Sequence, residues 1–233
     1  MTSNQPERSL PDGFANMVRL FPLPNVVLFP GVVQALHLFE PRYCALVEDA
    51  LAADELITMA YIEPGQLSNN DAPKVSQTVC IGKILSHTKL EDGRYNLFLV
   101  GSKRAEIITE IDSETPYRMA EVSVLEDTLN PLINLDDMRG DIITQFRTLA
   151  AHKPSWNHEA LDLFLDDDLP FSQLVDMICY SCGASPQEQQ RVLETIELGN
   201  RGLAVIQLMD SQIASLQQDQ GAALDFPPGF SLN

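Results

Sequence analysis

The chain has 233 residues and a mass of 25.8 kDa, enough for one large domain or two small ones with a buried core. Lys and Arg number 15 against 33 Asp and Glu, so the formal net charge at pH 7 is −18. A field of that sign disfavours general binding to nucleic acid or to anionic membrane surfaces. No apolar run approaches the roughly 20 residues that are needed to span a bilayer.

The N-terminal residues 1–16 are polar and lack the apolar segment of a secretory signal. We therefore expect a disordered lead on a cytoplasmic protein. The cysteines fit that compartment as reduced thiols, and mostly apolar neighbours predict that they are buried; they are Cys44, Cys80, Cys179 and Cys182.

Short strands dominate residues 17–128. Apolar and β-branched stretches, punctuated by proline and glycine, predict strands at 18–21, 26–29, 34–39, 56–62, 79–86, 95–100, 105–111 and 117–125. The turn residues Glu91, Asp92 and Gly93 predict a hairpin, and Pro41 with a following apolar stripe predicts one inserted helix over about 41–53. Strands at this spacing favour a compact sandwich or barrel over a parallel sheet.

Helical periodicity replaces the strand pattern near Asn130 and Pro131. It predicts a helical lobe over 129–210, with helices at about 132–151, at about 171–182 and from 186 to about 209. Ser185, Pro186 and Glu188 supply the capping chemistry for the last of these. Residues 211–233 are expected to form a flexible tail, and the fold class is α+β.

A search for catalytic motifs finds three incomplete patterns. His158–Asp162 resembles a zinc-protease helix without its second histidine, and Ser86 and Lys89 have an acyl-enzyme spacing but lie at a hairpin. Cys179 and Cys182 have a redox spacing but fall at a helix C-terminus, where no dipole lowers the pKa of a thiol. We therefore assign no catalytic residue, no metal ligand and no cofactor site.

One stretch is specific enough to indicate a family. Residues 19–31 (RLFPLPNVVLFPG) and 36–43 (LHLFEPRY) closely resemble the signature of the Lon protease N-terminal domain family. The resemblance continues at 82–84, 92–95, 101–104, 116–120 and 190–201, and so covers roughly residues 17–210. The motif residues are Phe21, Pro22, Pro24, Phe29, Pro30, Gly31, Phe39, Glu40, Pro41, Arg42, Tyr43, Gly93 and Arg104.

Physical chemistry gives these motif residues structural roles. The prolines remove hydrogen-bond donors and should lie at a sheet edge, Gly31 permits a tight turn, and Phe29 and Phe39 should anchor the core. Glu40 and Arg42 should pair at the start of the inserted helix. The motif thus identifies a family without locating a binding site.

The resemblance implies a β-rich, PUA-like pseudobarrel lobe followed by a helical bundle. It also implies recognition of polypeptide substrates, because that is the role of this domain in Lon proteases. The ATPase and Ser–Lys protease segments do not occur in this sequence. We therefore expect a standalone, non-enzymatic module that binds unfolded polypeptide or a partner protein as an adaptor to a proteolytic or quality-control system. The groove between the lobes, with an apolar lining, is its expected site.

Two other functions stay open at this stage. PUA-like lobes also occur in RNA-binding and small-molecule-sensing proteins, and a local basic patch could serve that role despite the overall charge; it would comprise Lys83, Lys89, Arg94, Lys103 and Arg104. An enzyme is the weakest alternative, because no motif supports it. We expect a monomer or a weak dimer, and binding to neither nucleic acid nor membrane.

Overall fold

The computed structural model describes residues 10–63, 65, 73–153 and 169–223, with side chains described up to residue 217. The strands in these ranges are β1 (Met17–Leu23), β2 (Val33–Leu38), β3 (Leu56–Tyr61), β4 (Thr78–Lys89), β5 (Tyr95–Ile111) and β6 (Arg118–Val124). The helices are α1 (Pro41–Ala52), α2 (Leu135–Ala151), α3 (Phe171–Ser181), α4 (Pro186–Glu194) and α5 (Leu198–Ala223). The expected α+β class is confirmed.

The strands form a closed ring with one strand outside it. Neighbours follow the order β2-β5-β4-β3-β1-β6, and an additional pairing of β5 with β6 closes the ring. Only β1 and β3 pair in parallel, and every other strand pair of the sheet is antiparallel. Strand β2 lies outside the ring, beside the first half of β5.

Each strand of the ring contributes small or branched side chains to a buried cluster. Alternate residues of a strand point to opposite faces, so these side chains fill the interior of the barrel. They include Val18 and Leu20 of β1, Leu56 and Ala60 of β3, Val79 and Ile81 of β4, Ala105 of β5, and Ala120 and Val122 of β6.

A second, larger core lies between the sheet and the helices. It includes Phe21 and Leu99 from the strands, Leu46 from α1, and Phe146 and Val205 from the helical part. All five helices contribute to it. Because this core crosses the boundary expected near residue 128, the division into two lobes stays a prediction. None of the described helices is long and apolar enough to cross a membrane.

Three elements differ from the expectations. Residues 26–29 are not a strand, although Val27, Leu28 and Phe29 are buried. The expected strands 95–100 and 105–111 are one continuous strand, β5. Its pairing register shifts along both β4 and β6, as at β-bulges. Helix α5 continues to Ala223, beyond the end expected near residue 209, and so includes the first part of the expected tail.

Candidate functional site

Pro22, one of the motif prolines, lies where the lack of a backbone N–H breaks no pairing between strands. Strand β1 pairs with β6 over 17–20 and with β3 over 20–23, so Pro22 has a partner strand on one side only. A proline in a sheet needs such a position because it cannot donate to a second strand. Strand β1 itself lies between β3 and β6, so Pro22 has an open side without being on an edge strand.

The Pro30–Gly31 turn presses the chain against β5. Gly31 has a φ of +81° and donates its N–H to the carbonyl of Gly101 at 2.8 Å. The N–H of Gly101 donates in turn to the carbonyl of Val32 at 2.9 Å. A Cβ on Gly101 would lie 2.0 Å from the carbonyl oxygen of Phe29, so the contact requires glycine. Phe29 is fully buried as expected.

The start of α1 has the expected proline and the expected Glu40–Arg42 pair, but Phe39 before it is not buried. Pro41 occupies the first turn, Arg42 donates its Nε–H to Glu40 at 2.9 Å, and Tyr43 is buried edge-to-face against Phe21. Phe39, however, is 64% exposed and is not a core anchor. Side chains alternate along β2, and the inward position next to it is taken by Leu38.

A buried ion pair joins the barrel to the helices. Arg104 of β5 donates to Asp176 of α3 through Nη1–Oδ2 at 2.8 Å and Nη2–Oδ1 at 2.5 Å, and its Nε–H donates to the carbonyl of Leu193. Burial disfavours the charged guanidinium, but the Asp176 carboxylate outweighs this effect, so the pKa of Arg104 is raised above its ordinary value. Both side chains are almost completely buried.

Arg201 of α5 extends this network. It is fully buried, its Nη1 lies 3.6 Å from Asp176 Oδ1, and its Nη2 donates to Asp127. Its Nε–H donates to the carbonyl of Thr195 at 2.6 Å. Two guanidinium groups therefore face two carboxylates, which ties β5, α3, α5 and the segment after β6 together. This network accounts for the burial of two arginine side chains away from solvent.

A cleft of about 360 Å³ lies beside the ion pair and is the candidate for the groove expected between the lobes. It is lined by Pro30, Gly31, Ser102, Lys103, Arg104, Leu125, Glu126, Asp127, Pro170, Ser172, Gln173 and Asp176. Most of these residues are polar or charged, although apolar atoms contribute more than half of the exposed lining.

Some of the exposed apolar side chains lie on the outer face of β2, β5 and β4. Strand register places side chains in three rows across these strands, which are Val33–Val100–Lys83, Ala35–Phe98–Ser86 and His37–Asn96–Thr88. Phe98 is 51% exposed and Val33 is 47% exposed. A shallow groove of about 430 Å³ crosses the second and third rows. We call this surface the outer face.

Polar side chains border the outer face at one end. His37 Nδ1 lies 2.6 Å from Asn96 Oδ1, and its Nε2 lies 3.4 Å from Arg94 Nη1. Arg94 is paired with Asp92, and Lys89 is paired with Glu48. The charges at this end are therefore largely balanced.

The incomplete catalytic motifs form no site where they are described. Ser86 is exposed on β4, and the ammonium of Lys89 is bound to Glu48. Cys179 and Cys182 are buried at the end of α3, and burial raises the pKa of both thiols. His158–Asp162 lies outside the described residues. Within the described ranges, no group of His, Cys, Asp and Glu has the arrangement of a metal site.

The five residues of the expected basic patch do not form a free cationic surface. Lys89, Arg94 and Lys103 each have a carboxylate partner at the surface, and Arg104 is buried with Asp176. Lys83 is the remaining member and lies in the first row of the outer face.

The sequence analysis missed the outer face as a candidate site. Its signal is present in the sequence, because residues 33–38, 78–89 and 95–105 contain no Asp or Glu in a chain with 33 of them. Strand order is needed to recognise it, since these three segments become neighbours only in the sheet.

Comparison with protein families identifies one matching model. The ATP-dependent protease La (LON) substrate-binding domain matches residues 17–211. A Lon protease of Dictyoglomus thermophilum is 25% identical over 182 residues, which is 78% of this chain and 23% of that protein. A Lon protease of Azorhizobium caulinodans is 23% identical over 222 residues, which is 94% of this chain and 26% of that protein. The chain thus spans about a quarter of the length of these relatives.

Solved structures show the same fold. The N-terminal domain of a Mycobacterium avium complex Lon protease superposes with a TM-score of 0.62 at 17% identity, covering 83% of this chain and 98% of that one. A Lon N-terminal domain protein from Xanthomonas campestris superposes with a TM-score of 0.57 at 21% identity, covering 79% of this chain and 94% of that one.

Proposed function

Because the chain belongs to the Lon protease substrate-binding domain family, we propose that it is a non-enzymatic module that recognises unfolded polypeptide. In this proposal it delivers bound chains to a proteolytic or quality-control system. The match confined to the substrate-binding domain supports the non-enzymatic part.

The observation that carries the proposal is the exposed apolar surface of the outer face. Phe98 and Val33 lie in adjacent rows of the sheet and are about half exposed. Leu85 of β4, which precedes Ser86 of the second row, is 40% exposed. Folded proteins seldom present such side chains together unless they bind something. Unfolded polypeptides expose apolar side chains that would be buried by contact with this surface.

The outer face is a better candidate than the cleft between the lobes. Binding an apolar segment in the cleft would cover the Lys103–Glu126 pair, whose side chains are exposed to solvent. Burying those charged groups without new partners costs free energy. On the outer face only the first row contains a charged side chain, Lys83, and the second and third rows offer apolar and polar groups.

The test compares binding of an unfolded and a folded form of one polypeptide to the purified protein. A reduced, carboxymethylated protein and its native form provide such a pair. We expect selective binding of the unfolded form. The variant Val33→Thr/Phe98→Thr, which keeps β-forming residues at both positions, should weaken binding at least about tenfold, as expected for losing apolar contacts of about 1.4 kcal/mol.

The matched control is Leu132→Thr. Leu132 is 91% exposed in the segment between β6 and α2, away from the outer face, so its replacement should leave binding unchanged. Equal loss in both variants would mean that binding is unspecific. Full binding by the Val33/Phe98 variant would move the site elsewhere, and no binding of either form by the unmodified protein would refute the proposal.

RNA binding is the second candidate, and the paired state of its expected cations argues against it. Retention of the protein on RNA at physiological salt would revive it.

A further inference from the structure

Strand β2 offers unpaired backbone groups along one edge. In the described part of the chain it pairs with β5 alone. The Gly101 N–H donates to the carbonyl of Val32, and antiparallel hydrogen bonding alternates, so Gln34, Leu36 and Leu38 direct their backbone groups towards β5. Val33, Ala35 and His37 therefore direct theirs away from the sheet.

A side-chain contact agrees with this alternation. The Gln34 side-chain amide donates to the carbonyl of Ala35 at 2.9 Å, and an added strand would displace this bond to use the same carbonyl. An open edge with such groups is a template for another strand. Natural edges are usually protected by charged side chains or proline, and β2 has neither.

The edge is also free of carboxylates, unlike most of this acidic protein. Strand β2 and the neighbouring segments 78–89 and 95–105 contain no Asp or Glu. The cations at the far end, Lys89 and Arg94, are already paired. Apart from Lys83 in the first row, the rows of the outer face contain apolar and polar side chains without carboxylates, so a strand that docks here needs no basic residues of its own.

Resting on the proposed function, we propose that unfolded polypeptide binds by adding an uncharged, extended segment as a further strand to the free edge of β2. Main-chain hydrogen bonds to Val33, Ala35 and His37 hold the segment, and its alternate side chains extend the apolar rows that contain Val33 and Phe98. The preferred class is an extended segment with apolar or β-branched residues at every second position.

Strand addition and general electrostatic attraction should respond differently to salt. A protein with a net charge of −18 can also attract basic unfolded chains through its general field, and that attraction disappears as salt is added. Strand addition to a neutral edge depends on hydrogen bonds and apolar contact. Its affinity should therefore change little with salt.

The first experiment changes the edge. Ala35→Pro removes one outward N–H at a position where an edge strand tolerates proline, and Ala35→Val keeps that N–H and the β preference. The probe is a peptide of alternating valine and threonine that is long enough to span β2, has blocked ends and carries an uncharged fluorophore. We expect the proline variant to weaken binding at least about tenfold, the loss of one or two hydrogen bonds, and the valine variant to bind normally. Circular dichroism must show that both variants are folded.

The second experiment changes the peptide and leaves the protein intact. One peptide carries backbone N-methyl groups on its odd-numbered residues and another on its even-numbered residues. Each peptide therefore lacks half of the backbone N–H donors and keeps the other half. Strand addition requires that at least one pattern binds much more weakly than the unmethylated peptide, in low and in high salt alike.

The outcomes distinguish the two proposals. Equal binding of all peptides, with unfolded protein still preferred over folded, overturns strand addition and leaves the proposed function standing. Loss of binding at high salt replaces strand addition by general electrostatic attraction. Self-association of the protein that Ala35→Pro abolishes and Ala35→Val does not would assign the edge to a second copy of this chain and overturn the proposal.

Discussion

Arg104 and Asp176, 72 residues apart in the chain, form a bidentate ion pair that is sealed between the barrel and the helices. Arg104 comes from the middle of β5, next to the residues that pair with β6, and Asp176 comes from the middle of α3. Arg201 and Asp127 add a second pair. The barrel and the helices are thus joined by charge as well as by the larger apolar core.

Breaking this pair on one side should destabilise the protein strongly. Arg104→Met leaves the Asp176 carboxylate buried with only the more distant Arg201, and we expect a loss of about 3–5 kcal/mol in the free energy of unfolding. Urea denaturation measures it. The double variant Arg104→Met/Asp176→Leu should lose less than Arg104→Met alone, because the Asp176 carboxylate is removed together with Arg104 and Arg201 keeps Asp127 as its partner.

The neighbouring residue provides the control for this prediction. Lys103 pairs with Glu126 at the surface, where their side chains are 39% and 73% exposed. Lys103→Met should change the free energy of unfolding by less than about 1 kcal/mol. Similar values for Lys103→Met and Arg104→Met would contradict a stabilising role for the buried pair.

Two glycine-to-alanine substitutions should have opposite effects on the free energy of unfolding. Gly101→Ala puts a Cβ 2.0 Å from the Phe29 carbonyl, which cannot move without disturbing the Pro30–Gly31 turn, and should cost about 3 kcal/mol or more. Gly140 lies exposed inside α2, and a Cβ there meets nothing within 4 Å, so Gly140→Ala should stabilise by about 0.5–1 kcal/mol. Thermal denaturation of both variants tests the pair, and a destabilised Gly140→Ala would refute the second half.

The four free cysteines should differ in reactivity. Cys80, Cys179 and Cys182 are buried, whereas Cys44 is half-buried. Burial raises the pKa of Cys80 to about 12 and also raises that of Cys44, so labelling of the native protein should be slow and should begin at Cys44. A thiol reagent followed by mass analysis tests the order. Fast labelling in Cys44→Ala would show that another thiol is accessible.

Tyr117 should make stability depend on alkaline pH. Its hydroxyl donates to Asp49 at 2.5 Å, and burial together with this bond raises its pKa to about 12 from an ordinary 10. The unfolded chain loses this proton at lower pH than the folded protein does. The contribution is therefore complete below pH 10 and is lost as pH rises towards 12.

Tyr117→Phe keeps the aromatic ring and removes the hydroxyl group that titrates. The difference in unfolding free energy between the unmodified protein and this variant should shrink as pH rises through that window. Measuring the difference cancels the other groups that titrate there, including Cys80. A difference that is constant with pH would contradict the assignment.

Local features were readable from the sequence because a few neighbouring residues decide them. Pro41 at the start of α1, the Glu40–Arg42 pair and the capping box of Ser185 and Glu188 all occur as expected. The turn at Gly93, with a φ of +85°, closes the β4–β5 hairpin. Each of these features depends on backbone geometry and on hydrogen bonds within a few residues.

Features that depend on distant partners were decided only by the tertiary structure. Phe39 carries an apolar side chain in the family motif, yet the pairing of β2 with β5 turns Leu38 inward and leaves Phe39 in solvent. Arg104 was recognisable as a motif residue, but its partner Asp176 was not, because nothing near either residue specifies the contact.

The candidate site follows the same rule. The sequence determined the family, the strands and the carboxylate-free segments, since these are properties of the chain itself. The tertiary structure decided that β2 stands outside a closed ring and that, among the described residues, it pairs along one side only, because β6 and not β2 closes the barrel against β5. Hydrogen bonding between strands far apart in sequence therefore created the surface on which the proposed function depends.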